Sequence, residues 1–67
     1  MYSIINKATR QWVYGTDYRK WPPQQRTSSD QALTYDTLEY AKRDFRSRKC
    51  DKRVYEIVKV KLEIVGD

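Results

Sequence analysis

The sequence predicts one small α+β domain that spans residues 1–67, with the element order β-β-α-β. We expect a three-stranded antiparallel sheet in the order 2-1-3, with one helix packed on one face. Three observations predict it: two short strand-forming runs at the start, a capped amphipathic segment in the middle, and an alternating apolar segment near the end. The 13% aromatic content indicates a folded domain despite 34% charged residues.

The opening segment predicts a hairpin. Tyr2 to Asn6 is rich in strand-forming residues, and residues 11–14 form a second short run that Gly15 closes. The polar residues between the two runs are typical of a turn. They include neither an Asn-Gly nor an Asp-Gly pair, so the turn type stays open.

The next segment, 16–33, has no clear hydrophobic period. Trp21 is followed by two prolines, which disfavour both helix and ladder hydrogen bonds locally, and a polar stretch comes after them. We interpret the segment as a long loop. Loops of this length inside a compact domain are typically functional or mobile. A short helical turn over 29–33 is the alternative.

A helix is predicted over residues 37–49. Asp36 is the expected N-cap, and Glu39 stands three residues later, which forms a capping box. Basic residues fill the last turn, where the negative end of the helix dipole favours them. Three apolar residues share one narrow stripe and should face the sheet: Leu38, Ala41 and Phe45.

A long last strand is predicted over residues 54–65. Apolar and charged residues alternate from Val58 onward, which is the period of a half-buried strand, and Ile57 stands in the opposite phase. A bulge between these two residues, or burial on both faces, would reconcile the phases. The strand is longer than the helix, so its segment 58–65 could pair with a second copy and form a homodimer.

The net charge of +5 is concentrated between residues 42 and 53. Asp44 and Asp51 are the only acids there, and they stand among seven basic residues: Lys42, Arg43, Arg46, Arg48, Lys49, Lys52 and Arg53. The concentration favours a surface that faces phosphates or an acidic protein face. The alternative is a solvated helix face combined with compensation of the helix dipole.

Aromatic residues interleave with basic residues upstream. Arg19 and Lys20 stand among four aromatic residues, which are Trp12, Tyr14, Tyr18 and Trp21. Aromatic rings beside cations can stack exposed bases or anchor a protein interface. The alternative is that Trp12 and Tyr14 pack in the small core. If Val13 faces the helix, both must face away from it, because strand neighbours point to opposite faces.

The residue types argue against catalysis, so we predict that the chain is not an enzyme. It has no histidine, which is the commonest general base and neutral metal ligand, and its lone Cys50 has no histidine partner. Asp36 and Glu39 are accounted for by capping, and the two glycines are too far apart for a phosphate-cradling loop. We therefore expect no catalytic residue, no cofactor and no metal.

The same composition predicts a cytoplasmic location. A single cysteine favours a reducing compartment, and no apolar run approaches the roughly 20 residues needed to cross a bilayer. The first ten residues lack the pattern of a signal peptide.

Three segments resemble short accessory proteins from the early regions of phages and prophages: YSIINKATRQWVYG, YDTLEYAKRDF and YEIVKVKLEIV. The resemblance implies a stoichiometric binder that blocks a host enzyme or a defence system, including CRISPR nucleases, in the host cytoplasm. Inhibitors that mimic nucleic acid are usually acidic, whereas this chain is basic. An inhibitor of this kind would more plausibly contact guide RNA or a negatively charged protein patch.

The sequence therefore predicts a small non-enzymatic binding protein that inhibits a host protein or nucleoprotein through its basic and aromatic residues. Two alternatives remain at this point. The chain could bind RNA, DNA or a nucleotide directly, or it could be a homo-oligomeric assembly module.

Overall fold

The computed structural model describes residues 1–60 and contains one helix and one antiparallel sheet within them. The elements in chain order are β1 (Tyr2–Asn6), β2 (Trp12–Asp17), β3 (Gln24–Ser28), α1 (Leu38–Ser47) and β4 (Tyr55–Lys59). The sheet has four strands in the order β3-β2-β1-β4. The prediction of a three-stranded β-β-α-β sheet in the order 2-1-3 is therefore wrong. The fold is a small α+β domain with a fourth strand.

The additional strand, β3, lies inside the segment interpreted as a loop. It pairs antiparallel with β2, from Trp12 opposite Ser28 to Asp17 opposite Gln24. Its sequence, QQRTS, has no apolar alternation, because the side chain that it buries most deeply is polar: Gln25 is 7% exposed. Hydrogen bonds to Thr16 and to the backbone of Arg48 satisfy this amide, so a polar side chain occupies an inward position.

Strands β1 and β4 pair antiparallel along their whole length. Their register runs without a break from Tyr2 opposite Lys59 to Asn6 opposite Tyr55, so no bulge separates Ile57 from Val58. Both of these residues are half-buried, which accounts for the adjacent apolar pair by burial on both faces. The strand β4 ends at Lys59. Val60 is described but lies beyond the strand, and residues 61–65, which make up most of the segment proposed for a homodimer, lie outside the described residues.

The chain segment before the helix inserts between β1 and β2. The two strands are paired at Ile5 and Trp12. Farther along, the Leu33 amide donates to the Val13 carbonyl at 3.0 Å, and Tyr35 exchanges two backbone hydrogen bonds with Tyr2. This insertion fixes the entry of the chain into α1.

The helix packs on β1 and β4 through a short apolar stripe. Ala41 is fully buried, Phe45 is half-buried, and Leu38 at the start of the helix is 38% exposed. Ile4 on β1 and Val13 on β2 are fully buried. This is a small core, as expected for a short chain.

The helix boundaries differ from the prediction at both ends. Thr37, rather than Asp36, is the N-cap, and its Oγ1 accepts a hydrogen bond from the Tyr40 amide at 3.2 Å. The predicted capping box of Asp36 and Glu39 is therefore wrong, because the residue three positions after Thr37 is Tyr40 and not a Glu or Gln. The helix ends at Ser47. Arg48 is the C-cap, and Lys49 has a left-handed backbone with φ of 55°.

A candidate basic-aromatic groove

A groove of about 530 Å³ lies between the β2–β3 connection and the α1–β4 connection. We call it the Trp21 groove. It brings together parts of the two groups that the sequence singled out, and the residues that line it include Lys20, Trp21, Pro23, Lys49, Asp51 and Tyr55. Its volume lies within the range of about 300–1,000 Å³ that is typical of ligand sites.

The Trp21 ring is the most exposed large apolar group in the described chain, at 86%. It stands in the β2–β3 connection beside Pro22 and Pro23, whose rings fix the φ angles of the backbone. Upstream in the connection, the Asp17 carboxylate accepts hydrogen bonds from the Arg19 amide at 3.0 Å and from its Nε at 3.2 Å. These two hydrogen bonds lower the pKa of Asp17. The charge of Arg19 is thus already paired, whereas that of Lys20 has no ion pair within residues 1–60.

The opposite wall of the groove carries Lys49, directly after the helix. Its left-handed backbone is the conformation usually taken by glycine at this position, just after a helix ends. Lys49 is exposed and makes no ion pair with any described residue. Asp51 on the same wall is neutralised by Arg53, whose Nη2 lies 3.2 Å from the carboxylate. Hydrogen bonds from the Arg53 side chain and backbone lower the pKa of Asp51.

Arg48, one residue before Lys49, belongs to the interior. Its Nε donates to Asp44 Oδ2 at 2.6 Å, and its Nη1 donates to Thr16 Oγ1 at 2.8 Å. Its carbonyl accepts from Gln25 Nε2 at 2.7 Å, so the residue connects the helix end to both β2 and β3. We call these residues, together with Tyr35, the Arg48 network.

Tyr35 completes the Arg48 network from the segment before the helix. Its hydroxyl donates to the same Asp44 oxygen that Arg48 contacts. Burial, followed by this hydrogen bond, raises the pKa of Tyr35 far above its ordinary value. Nothing in the sequence signals Tyr35 or Gln25, because a polar network depends on which side chains the topology brings together.

The seven predicted basic residues therefore separate into groups. Arg48 and Arg53 are ion-paired with the two aspartates of the segment. Five have no ion pair among the residues that the structure describes: Lys42, Arg43, Arg46, Lys49 and Lys52. The Arg43 guanidinium lies 5.7 Å from the centre of the Tyr40 ring, which is within the range of a cation–π contact. The backbone carbonyl of Lys52 accepts from Lys7 Nζ, which adds a further cation nearby.

The four predicted aromatic residues are likewise divided. Trp12 and Tyr14 lie on β2, and Tyr18 and Trp21 lie in the connection that follows. Trp12 is half-buried and is paired with Ile5, on the face away from the helix, while Val13 faces the helix. A β-bulge between Val13 and Gly15 leaves Tyr14 at its centre, 37% exposed. Of the four, only Trp21 lines the Trp21 groove.

A second groove of about 530 Å³ runs along the helix on the side of the Arg48 network. Tyr35, Tyr40, Arg43, Asp44 and Arg48 are among the residues that line it. Two acids and two arginines line this groove, so its formal charge is balanced, although only Arg48 and Asp44 form an ion pair among them in the described chain.

Cys50 is held in an environment that disfavours a nucleophilic thiolate. It is half-buried, and burial raises the pKa of its thiol to about 11. Within residues 1–60, no group of three His, Cys, Asp or Glu side chains is placed to hold a metal ion. Among the same residues, no helix combines the length and apolar character that a membrane crossing requires.

No protein-family model, curated protein or solved structure matches the chain. The resemblance to phage accessory proteins remains a hypothesis.

Proposed function

We propose that the chain is a small non-enzymatic binding protein that docks on a negatively charged partner through the Trp21 groove. In the phage setting that the sequence resemblance suggests, the partner is a host protein or nucleoprotein whose activity is blocked by the contact. The observation that carries the proposal is the combination of an 86% exposed Trp21 with Lys20 and Lys49 on the walls of one groove.

Local charge balance supports this choice of surface. Arg10, Arg19, Arg48 and Arg53 each lie within 3.3 Å of a carboxylate oxygen, so their charges are compensated within the fold. Lys20 and Lys49 have no such partner in the described chain. Cations left unpaired beside an exposed aromatic ring are what an anionic partner would contact, because charge attracts the partner and the ring supplies an apolar anchor.

The position of Trp21 also supports a binding role. An exposed indole gives no burial energy to the fold, and its two proline neighbours reduce the conformational freedom that a partner would otherwise have to remove. A partner that contacts Trp21 therefore meets a backbone that is already restricted.

A pull-down from bacterial lysate tests the proposal with a matched pair of charge reversals. The groove variant is Lys20→Glu with Lys49→Glu. The control is Arg26→Glu with Lys59→Glu, which makes the same change in net charge at two exposed strand residues outside the groove. We expect the wild type and the control to capture a stoichiometric partner and the groove variant to lose it. Capture of no such partner, with and without nuclease treatment, or equal capture by all three proteins would contradict the proposal.

A further inference from the structure

We propose that the ligand of the Trp21 groove is single-stranded nucleic acid, with one base stacked on the Trp21 ring and the adjoining phosphates against Lys20 and Lys49. This inference rests on the proposed function, because it names the partner class of the same groove. It goes further by predicting direct binding of an oligonucleotide in the absence of any partner protein.

The groove is concave, so an extended chain can lie in it. It is a concavity of about 530 Å³ with the β2–β3 connection on one side and the turn after the helix on the other. A nucleotide fits a space of this size, and an unpaired strand can place its backbone along such a groove. A duplex would keep its bases stacked inside the helix, away from the indole.

The chemistry of the walls matches the two parts of a nucleotide. The indole of Trp21 offers a π-face that accepts any base, and its 86% exposure leaves that face open. Lys20 and Lys49 supply positive charge on opposite walls. Tyr55 lines the same groove and is half-buried, which gives the site a second aromatic side chain.

The single acid in the groove does not cancel this charge. Asp51 is held by Arg53 through an ion pair of 3.2 Å, so the two form a neutral unit. Lys20 and Lys49 then leave two uncompensated positive charges in the groove. An acidic protein segment could satisfy these charges but would not use the open indole face as a base does, which is why nucleic acid is favoured.

The test measures fluorescence anisotropy of labelled twelve-nucleotide oligo-dT and oligo-U at several salt concentrations. The variants are Trp21→Ala and the pair Lys20→Gln with Lys49→Gln, and the control pair is Arg26→Gln with Lys59→Gln. We expect Trp21→Ala to weaken binding by about tenfold or more through the loss of stacking. The groove pair should flatten the plot of log affinity against log salt, by about 0.7 for each phosphate that the variant no longer neutralises. The control pair should change the affinity and the slope of the salt plot less than the groove pair does.

Circular dichroism of each variant shows that it is folded; both Trp21 and the lysines are exposed, so we expect native spectra. Equal effects from the groove and control pairs, or no effect from Trp21→Ala, would overturn the inference. A poly-glutamate peptide with the same net charge as the oligonucleotides distinguishes this inference from the proposed function. Binding of the peptide without binding of the oligonucleotides overturns this inference and leaves the proposed function standing. Binding of neither also overturns this inference, and the lysate pull-down then decides the proposed function.

Discussion

The two sides of the helix C-terminus use positive charge in opposite ways. On one side, Arg48 contacts Asp44 and Thr16 and leaves 21% of its side chain exposed. On the other side, its neighbour Lys49 is exposed, lines the Trp21 groove and has no acidic partner in the described chain. A count of charges along the sequence treats these two residues alike, but one stabilises the fold and the other is available to a ligand.

The backbone at the helix end produces this difference. Arg48, as the C-cap, has a φ of −85° and lies one turn after Asp44, so the two side chains meet on the same helix flank. The left-handed conformation of Lys49 then reverses the chain direction and places its side chain on the groove wall.

The contrast between Arg48 and Lys49 predicts how the next residue, Cys50, reacts. Cys50 returns to the interior, where its amide donates to the Phe45 carbonyl at 3.1 Å and burial raises the pKa of its thiol to about 11. The ordinary value is 9.0, so the thiolate fraction at pH 8 should be lower by roughly a hundredfold. We expect alkylation by iodoacetamide at pH 8 to be slower by a similar factor in the folded protein than in the chain unfolded by guanidinium.

A reference thiol such as glutathione corrects for the effect of guanidinium on the reagent. Alkylation of the folded protein at the rate of the unfolded chain would mean that Cys50 is accessible and ionises normally. In that case the chain would not turn inward after Lys49, and the contrast between the two sides of the helix end would fail.

A second test replaces one arginine from each setting by methionine. Arg48→Met removes two hydrogen bonds from a partly buried cation and leaves Asp44 without its charged partner, so the free energy of unfolding should fall by about 2 kcal/mol. Arg53→Met removes an ion pair whose arginine side chain is 86% exposed, and the change should be below about 0.5 kcal/mol. Urea denaturation followed by circular dichroism measures both.

The two substitutions remove the same charge and introduce the same side chain, so each is the control for the other. Equal losses of unfolding free energy would show that the Arg48 network gives the fold no more than a surface ion pair does. The distinction between structural and available cations would then have no energetic basis.

The sequence predicts the elements that bury apolar side chains and misses the strand that buries a polar one. The helix and β1 have apolar patterns, which locate them to within a few residues. Strand β3 escapes prediction because Gln25 occupies its inward position and is satisfied by hydrogen bonds that only the folded chain provides. The spacing of apolar residues along the chain predicts which apolar side chains are buried, but it does not show which polar side chains are buried.

The residues of the candidate site also differ in how far the sequence predicts them. Exposed residues such as Lys49 and Trp21 are identified by charge and aromatic composition, which do not depend on the detailed fold. The sequence offers no means of separating Arg48 from Lys49, since their roles are decided by one backbone conformation. It also places Trp12 with Trp21 in one group, although Trp12 is paired with Ile5 in the sheet.

The last and smallest expected effect concerns Lys49 itself. A lysine with φ of 55° occupies a conformation that glycine adopts without steric cost. Lys49→Gly should therefore raise the free energy of unfolding by roughly 0.5–1 kcal/mol, after the greater entropy of glycine in the unfolded chain is allowed for. If the lysine serves a ligand, the same substitution should weaken oligonucleotide binding, so that stability and affinity change in opposite directions.

Arg10 provides the matched control, because it too has a left-handed backbone, with φ of 60°, and lies in the β1–β2 turn outside the Trp21 groove. Arg10→Gly should stabilise the fold by a similar amount, less the small contribution of its exposed ion pair with Glu56, and should leave oligonucleotide binding nearly unchanged. If both glycine variants bind the oligonucleotide as tightly as the wild type, Lys49 has no role in ligand binding and its left-handed backbone only ends the helix. Loss of affinity in Lys49→Gly alone would show that the chain retains this lysine for its ligand at the expense of stability.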